Sequence, residues 1–177
     1  DNFLVIAPNV IVFERLKVDL EGGRMFHELP LVPPELRGEW QVDVILRGEA
    51  KMPKASGNIF VTNIQQIYER EPVDDAPINP IAALLGNKPP AKIHAQVPML
   101  DRVRTLSNVM VLNDEAHHLW DDTLRWNETL LELDDHFKHD DVGGLVAWLD
   151  FSATPKNQNG TFYPWIVVDY PLAQAVE

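Results

Sequence analysis

The run Val109-Met110-Val111-Leu112-Asn113-Asp114-Glu115-Ala116-His117-His118 sets two adjacent carboxylates and two histidines directly behind a short apolar segment. At the end of a buried strand such a pair can divide the work of phosphoryl transfer. The aspartate can hold Mg²⁺, which takes few carboxylates and completes its shell with water and phosphate oxygens. The glutamate can orient and deprotonate an attacking water. The same residues also suit a plain helix start, where acidic side chains offset the positive end of the dipole and histidines lie at the surface. A third chemistry uses Asp114 with His117, His118 and Asp121 or Asp122. His117 with Asp121, and His118 with Asp122, are spaced i, i+4 and could ligate a metal for phosphohydrolysis.

A second segment, Leu149-Asp150-Phe151-Ser152-Ala153-Thr154-Pro155, is again an apolar strand, ending in small hydroxyl residues and stopped by proline. Alone it reads as a strand-to-turn junction. Following the carboxylate pair, with one helix between, it becomes half of a specific ordered pair.

These motifs need a scaffold that brings strand ends together, and the rest of the chain supplies its pattern. Phe3 to Ala7 is an apolar run closed by Pro8, the look of a strand buried on both faces. From Asn9 to Leu20, Val10, Phe13, Leu16 and Leu20 fit one helix face. Glu21 to Trp40 is turn-rich, with Gly22-Gly23 and Pro33-Pro34. Val42 to Leu46 and Asn58 to Val61 read as strands, and Ile64 to Tyr68 as a helix start capped by Thr62 or Asn63. Pro72 to Pro98 is a proline-rich excursion, too long for an ordinary connection. Val97 to Leu106 reads as helix and Val109 to Leu112 as strand. Leu119, Trp126, Leu130, Leu133 and Phe137 form a helical stripe, and Leu145 to Phe151 and Trp165 to Asp169 complete the strands. Strands alternating with helices predict an α/β fold with a mostly parallel sheet flanked by helices. In such a sheet ligands sit at the carboxyl ends of the strands, where both motifs fall.

Together the Asp114-Glu115-Ala116-His117 and Ser152-Ala153-Thr154 segments resemble the superfamily-two DEAD/DEAH-box helicases and translocases. Ala7-Pro8-Asn9 resembles that family's Ala-Pro-Thr-Arg, with Asn9 and Val10 in place of Thr-Arg, and Val61-Thr62-Asn63-Ile64-Gln65 resembles a later strand and nucleic-acid-contacting loop. The double histidine, Asp150-Phe151-Ser152-Ala153-Thr154-Pro155-Lys156 and Asp169-Tyr170-Pro171-Leu172 are most similar to the helicase subunit of type III restriction enzymes. The resemblance implies a RecA-like P-loop NTPase domain using ATP and Mg²⁺. Asp114 would bind the metal, Glu115 would activate water, and His117 would link the γ-phosphate region to Ser152 and Thr154, which couple nucleotide state to nucleic acid. Pro8, Asn9, Thr62 and Asn63 would contact nucleic-acid phosphates. Implied partners are double-stranded DNA, a modification (methyltransferase) subunit and a second RecA-like domain.

The family's phosphate loop, Gly-x-x-x-x-Gly-Lys-Ser/Thr, wraps phosphates in backbone N–H groups. No such run exists in this chain; Gly86-Asn87-Lys88 is the nearest. The chain also opens on Asp1-Asn2 and enters an apolar run at once. Residues 1–177 are therefore expected to be the first RecA-like domain of a motor, cut before its phosphate loop and before the second domain.

Composition sets the outer bounds. With 177 residues and 45% hydrophobic content, the chain is one domain's worth and can bury a sizeable core. It has no cysteine, so disulfide scaffolds and thiolate zinc sites are excluded. No apolar run reaches membrane-spanning length and no secretory leader is visible, so a cytoplasmic location is expected. A net charge of −12 argues that this piece alone binds DNA poorly. Three weaker patterns compete for attention. His136 and His139 with Asp134, Asp135, Asp140 and Asp141 suggest a metal cluster, but so polar a run better fits a solvated helix end. Asp43, Glu49 and Lys51 echo a nuclease triad at short spacing. Trp120, Trp126 and Trp148 offer base-stacking surfaces, although Trp126 lies on the apolar stripe. A non-catalytic domain, a degenerate motor kept for binding a partner subunit, is the remaining alternative.

Overall fold

The computed structural model describes residues 1–64, 98–116, 124–139 (side chains from Asn127), 143–154, 156, 160–162, 166–169 and 174. Five strands form one parallel sheet: β1 (Asn2–Ala7), β2 (Asp43–Leu46), β3 (Asn58–Asn63), β4 (Val109–Asn113) and β5 (Ala147–Asp150), in the order β2-β3-β1-β4-β5. The expected α/β, RecA-like architecture is what the chain adopts. Parallel neighbours need crossovers, and these place helices on both faces. Among the described residues these include α1 (Val10–Leu20), α2 (Arg24–Glu28), α3 (Met99–Arg104) and α4 (Leu124–His139).

Strand positions alternate between two cores. On one face Leu4, Ile6, Phe60 and Val111 meet Leu100 and Val103 of α3 and Leu130, Leu133 and Phe137 of α4. The three α4 residues lie at i, i+3 and i+7, and each is at most 1% exposed. Burying each contributes roughly 1.5–3 kcal/mol. On the opposite face Ala7, Val44, Ile59 and Val61 receive Phe13 and Leu20 of α1. Asn9 starts α1 by accepting the Val12 N–H at 3.0 Å on its side chain, and Gly22 and Gly23, at φ of +65° and +73°, let the chain turn after it.

Several expectations need revision. The turn-rich stretch after Leu20 contains helix α2 and two single 3₁₀ turns, Glu21–Gly23 and Pro34–Leu36. Thr62 and Asn63 are the last residues of β3, paired with Ile6 and Ala7, and helix follows directly at Ile64; the rest of the expected helix, 65–68, lies outside the described residues. β5 is the sheet edge rather than a buried strand, so Leu149 stays 41% exposed. Residues 166–169 form no strand, and Val167 and Val168 are largely exposed. An apolar run becomes a strand only where a sheet edge accepts it, and these residues are paired with none.

Candidate functional site

Register carries the site residues to one line. Thr62, Ile6, Asn113 and Asp150 stand level across β3, β1, β4 and β5, and Asn63 stands level with Ala7. At about 4.8 Å per strand, that row is about 14 Å long. The segments that leave it are Pro8-Asn9, Asp114-Glu115 and Phe151 to Thr154. The sheet thus gathers at its carboxyl edge, or in the segments leaving it, Pro8, Asn9, Thr62, Asn63, Asp114, Glu115, Ser152 and Thr154. His117, and with it His118, Trp120, Asp121 and Asp122, lies outside the described residues.

The Asp114-Glu115 turn is fixed by its neighbours on both sides. Asp114 N–H donates to Ile6 C=O at 3.0 Å, reaching β1. Asn113 C=O accepts from Phe151 N–H at 2.9 Å, and Ala116 N–H donates to Phe151 C=O at 2.8 Å, reaching past the end of β5. Asp114 Oδ1 accepts from Glu115 N–H at 3.0 Å. Between these ties Glu115 is held at φ +50°, a left-handed conformation that costs a non-glycine residue roughly 1–2 kcal/mol. Asp114 and Glu115 are both half-buried, so their carboxylates sit at the mouth of the edge rather than in the core.

The other site residues have quieter local roles. Ser152 Oγ accepts Thr154 N–H at 3.0 Å, a hydroxyl turn. Asn9 is the cap of α1. Thr62 is 4% exposed and Asn63 fully buried, so neither offers its side chain to an incoming phosphate in this conformation. Asn63 Oδ1 accepts from the Arg47 guanidinium at 3.0 Å, and Arg47 lies over the Phe13 ring. Arg47 also lines a groove beside α1, where Glu14, Glu21 and Glu49 offset Lys17 and Arg47, leaving no net attraction for phosphate.

Two patterns from the sequence are not assembled among the described residues; Asp140 and Asp141 of the second lie outside them. Asp43 opens β2 and ion-pairs with Lys54, whereas Glu49 lies beyond the strand's other end, where its carboxylate accepts the Leu46 N–H. A nuclease triad needs both carboxylates on one ion, so Asp43, Glu49 and Lys51 do not form one. Asp134 is engaged by Lys138 and by the Leu145 N–H, and His136 bonds the Arg104 carbonyl. The Lys138 hydrogen bond, reinforced by the Leu145 N–H, holds the Asp134 carboxyl below its ordinary value. Among the described residues no group of three or more histidine or acidic side chains is arranged to hold a metal. Trp148 directs its indole N–H to Asp150 at 2.8 Å and packs against the core.

Sequence reasoning passed over Asn113 and Asp150. Asn113 is 1% exposed, and its Nδ2 donates to Asp150 Oδ1 at 2.7 Å. A polar residue as the last member of an apolar strand was the available signal.

A parallel sheet with helices on both faces and paired carboxylates turning out of its carboxyl edge defines a RecA-like α/β domain. A family model described as type III restriction enzyme, res subunit, matches residues 1–157, and the chain belongs to this family, which is of the superfamily-two helicase type. The family is one of helicase-type motors, and its superfamily typically uses ATP and Mg²⁺. No curated protein and no solved structure matches the chain. No helix among the described residues is long and apolar enough to cross a membrane.

Proposed function

We propose that the chain is the Asp-Glu-Ala-His half of an ATP-hydrolysing site in a DNA translocase or helicase of a type III restriction system. The observation that carries this reading is the Asp114-Glu115 turn, tied to β1 on one side and to the segment after β5 on the other, with Glu115 in a strained backbone conformation. Backbone strain persists where surrounding structure over-determines a residue, and such residues cluster at active sites.

Asp114 is the residue that would hold Mg²⁺. It is a hard oxygen donor at a solvent-reaching strand end, which suits an ion that takes one or two carboxylates and keeps water and phosphate oxygens. The ion would supply charge neutralisation for the phosphates. Glu115, one residue on, would orient water and accept its proton. Ser152 and Thr154, on the segment bonded to the same turn, would report nucleic-acid state, with His117 as the link that the resemblance implies. Pro8, Asn9, Thr62 and Asn63 are proposed to lie along the nucleic-acid path, Thr62 and Asn63 acting through backbone rather than side chain given their burial. A phosphate loop, a second RecA-like domain, duplex DNA and a modification subunit complete the machine; the sequence holds no phosphate loop of its own.

The test is ATP hydrolysis by the intact protein with and without duplex DNA. Glu115→Gln should lower turnover at least about a hundredfold, roughly 2.7 kcal/mol of barrier, without weakening ATP binding. Unchanged turnover in this variant would sink the assignment.

A further inference from the structure

The two site strands are joined by more than their ladder. Phe151 bonds Asn113 through its N–H and Ala116 through its C=O, so one residue beyond β5 closes the Asp114-Glu115 turn at both ends. A side-chain tie lies beside this backbone clamp. Asp150 Oδ1 accepts from Asn113 Nδ2 at 2.7 Å and from Trp148 Nε1 at 2.8 Å. Asn113 is 1% exposed, and its Oδ1 has no hydrogen-bond partner. The Asp150 carboxylate is therefore the bond that orients this buried amide, and it is charge-assisted.

We propose that Asp150 is a positioning residue that couples the Ser152–Thr154 segment to the Asp114-Glu115 turn by way of Asn113. This rests on reading Asp114 and Glu115 as the hydrolytic pair. The backbone clamp at Phe151 exists whatever the side chains are, but its alignment depends on Asn113, whose C=O is one of its two anchors. Asp150 fixes that residue from the strand that continues into Ser152 and Thr154. A shift of this segment when nucleic acid binds therefore pulls on Asn113 through side chain and backbone together. Trp148 limits the alternatives open to the carboxylate by holding the same oxygen. Without the carboxylate, Asn113 Nδ2 and Trp148 Nε1 lose their acceptor. The amide then has no bonded polar atom and can turn.

The experiment measures ATP turnover by the intact protein with and without duplex DNA and takes the ratio. Asp150→Ala should lower that DNA stimulation about fivefold, within the range of coupling carried by single residues. Asp150→Asn keeps an acceptor oxygen for both donors and should stay within about twofold of the unsubstituted protein. Trp148→Phe removes one donor, should lower the ratio about twofold, and reads the same tie if Asp150→Ala does not fold. Unchanged stimulation in Asp150→Ala, or equal loss in Asp150→Asn, would overturn the proposal. Glu115→Gln separates the two failures. Normal turnover there removes the underlying site, whereas a dead Glu115→Gln beside a fully stimulated Asp150→Ala removes only the coupling role.

Discussion

The two edges of the sheet carry similar residues in opposite states. At the amino edge Asn58 is fully buried, and its side chain is satisfied: Nδ2 donates to Asn2 Oδ1 and Lys54 C=O, and Oδ1 accepts from Lys54 N–H. At the carboxyl edge Asn63 and Asn113 are equally buried, yet Asn63 Nδ2 and Asn113 Oδ1 have no hydrogen-bond partner. Among the described residues each edge also holds one non-glycine residue with positive φ. At the amino edge it is Asn108, a type that tolerates this conformation; at the carboxyl edge it is Glu115, which does not. The carboxyl edge is thus the less saturated of the two, and of the described buried side chains Arg102 on α3, through its Nε, shares that state.

The contrast can be broken from either side. The largest expected effect is the loss of turnover in Glu115→Gln, accompanied by a thermal midpoint that does not move, because the backbone and its ties are kept. Asn58→Ala should do the reverse. It removes three hydrogen bonds and should cost about 2 kcal/mol, about 4–8 °C in thermal midpoint, with turnover per folded molecule unchanged. Asn63→Ala should cost about half as much, since it removes one bond, from Arg47, together with an unsatisfied Nδ2; equal losses at Asn58 and Asn63 would erase the distinction. Glu115→Gly sharpens the case further. Relief of strain should raise stability by about 1 kcal/mol while turnover is lost. The smallest effect belongs to Asp134→Ala, on α4. Because Lys138 depresses the folded-state value of this carboxyl, its contribution is present above the ordinary aspartate range and fades as pH falls through the lowered value. Melting curves should separate the variant from the unsubstituted protein near neutrality and converge in acid.

Much of the scaffold was legible before any coordinates. Phe3 to Ala7, Asn58 to Val61 and Val109 to Leu112 are continuous β-rich apolar runs, and strands buried on both faces must look like that. Leu130, Leu133 and Phe137 announced α4 by spacing alone. Trp165 to Asp169 has the same look and forms no strand over its described part, residues 166–169, because apolar composition cannot say whether a run docks on the edge a sheet offers. Thr62 and Asn63 stand before helical Ile64 as their types suggest, but only the register shows that they also end β3 in the ladder with β1. Of the site, Asp114, Glu115, Ser152 and Thr154 were visible as motif residues. Asn113 and Asp150 were not, since their role lies in a hydrogen bond between residues 37 positions apart.

The sequence by itself determined the identity and order of the chemistry: a carboxylate pair after one strand, hydroxyl residues after another, and no phosphate loop. Those follow from local pattern, because motif residues must occupy fixed offsets from the strand ends that present them. Tertiary structure alone decided strand order, which buried side-chain atoms lack a hydrogen-bond partner, and that Phe151 and Asp150 tie the two motifs together. Register across a parallel sheet is set by crossovers and by cores on both faces, so no single segment carries it.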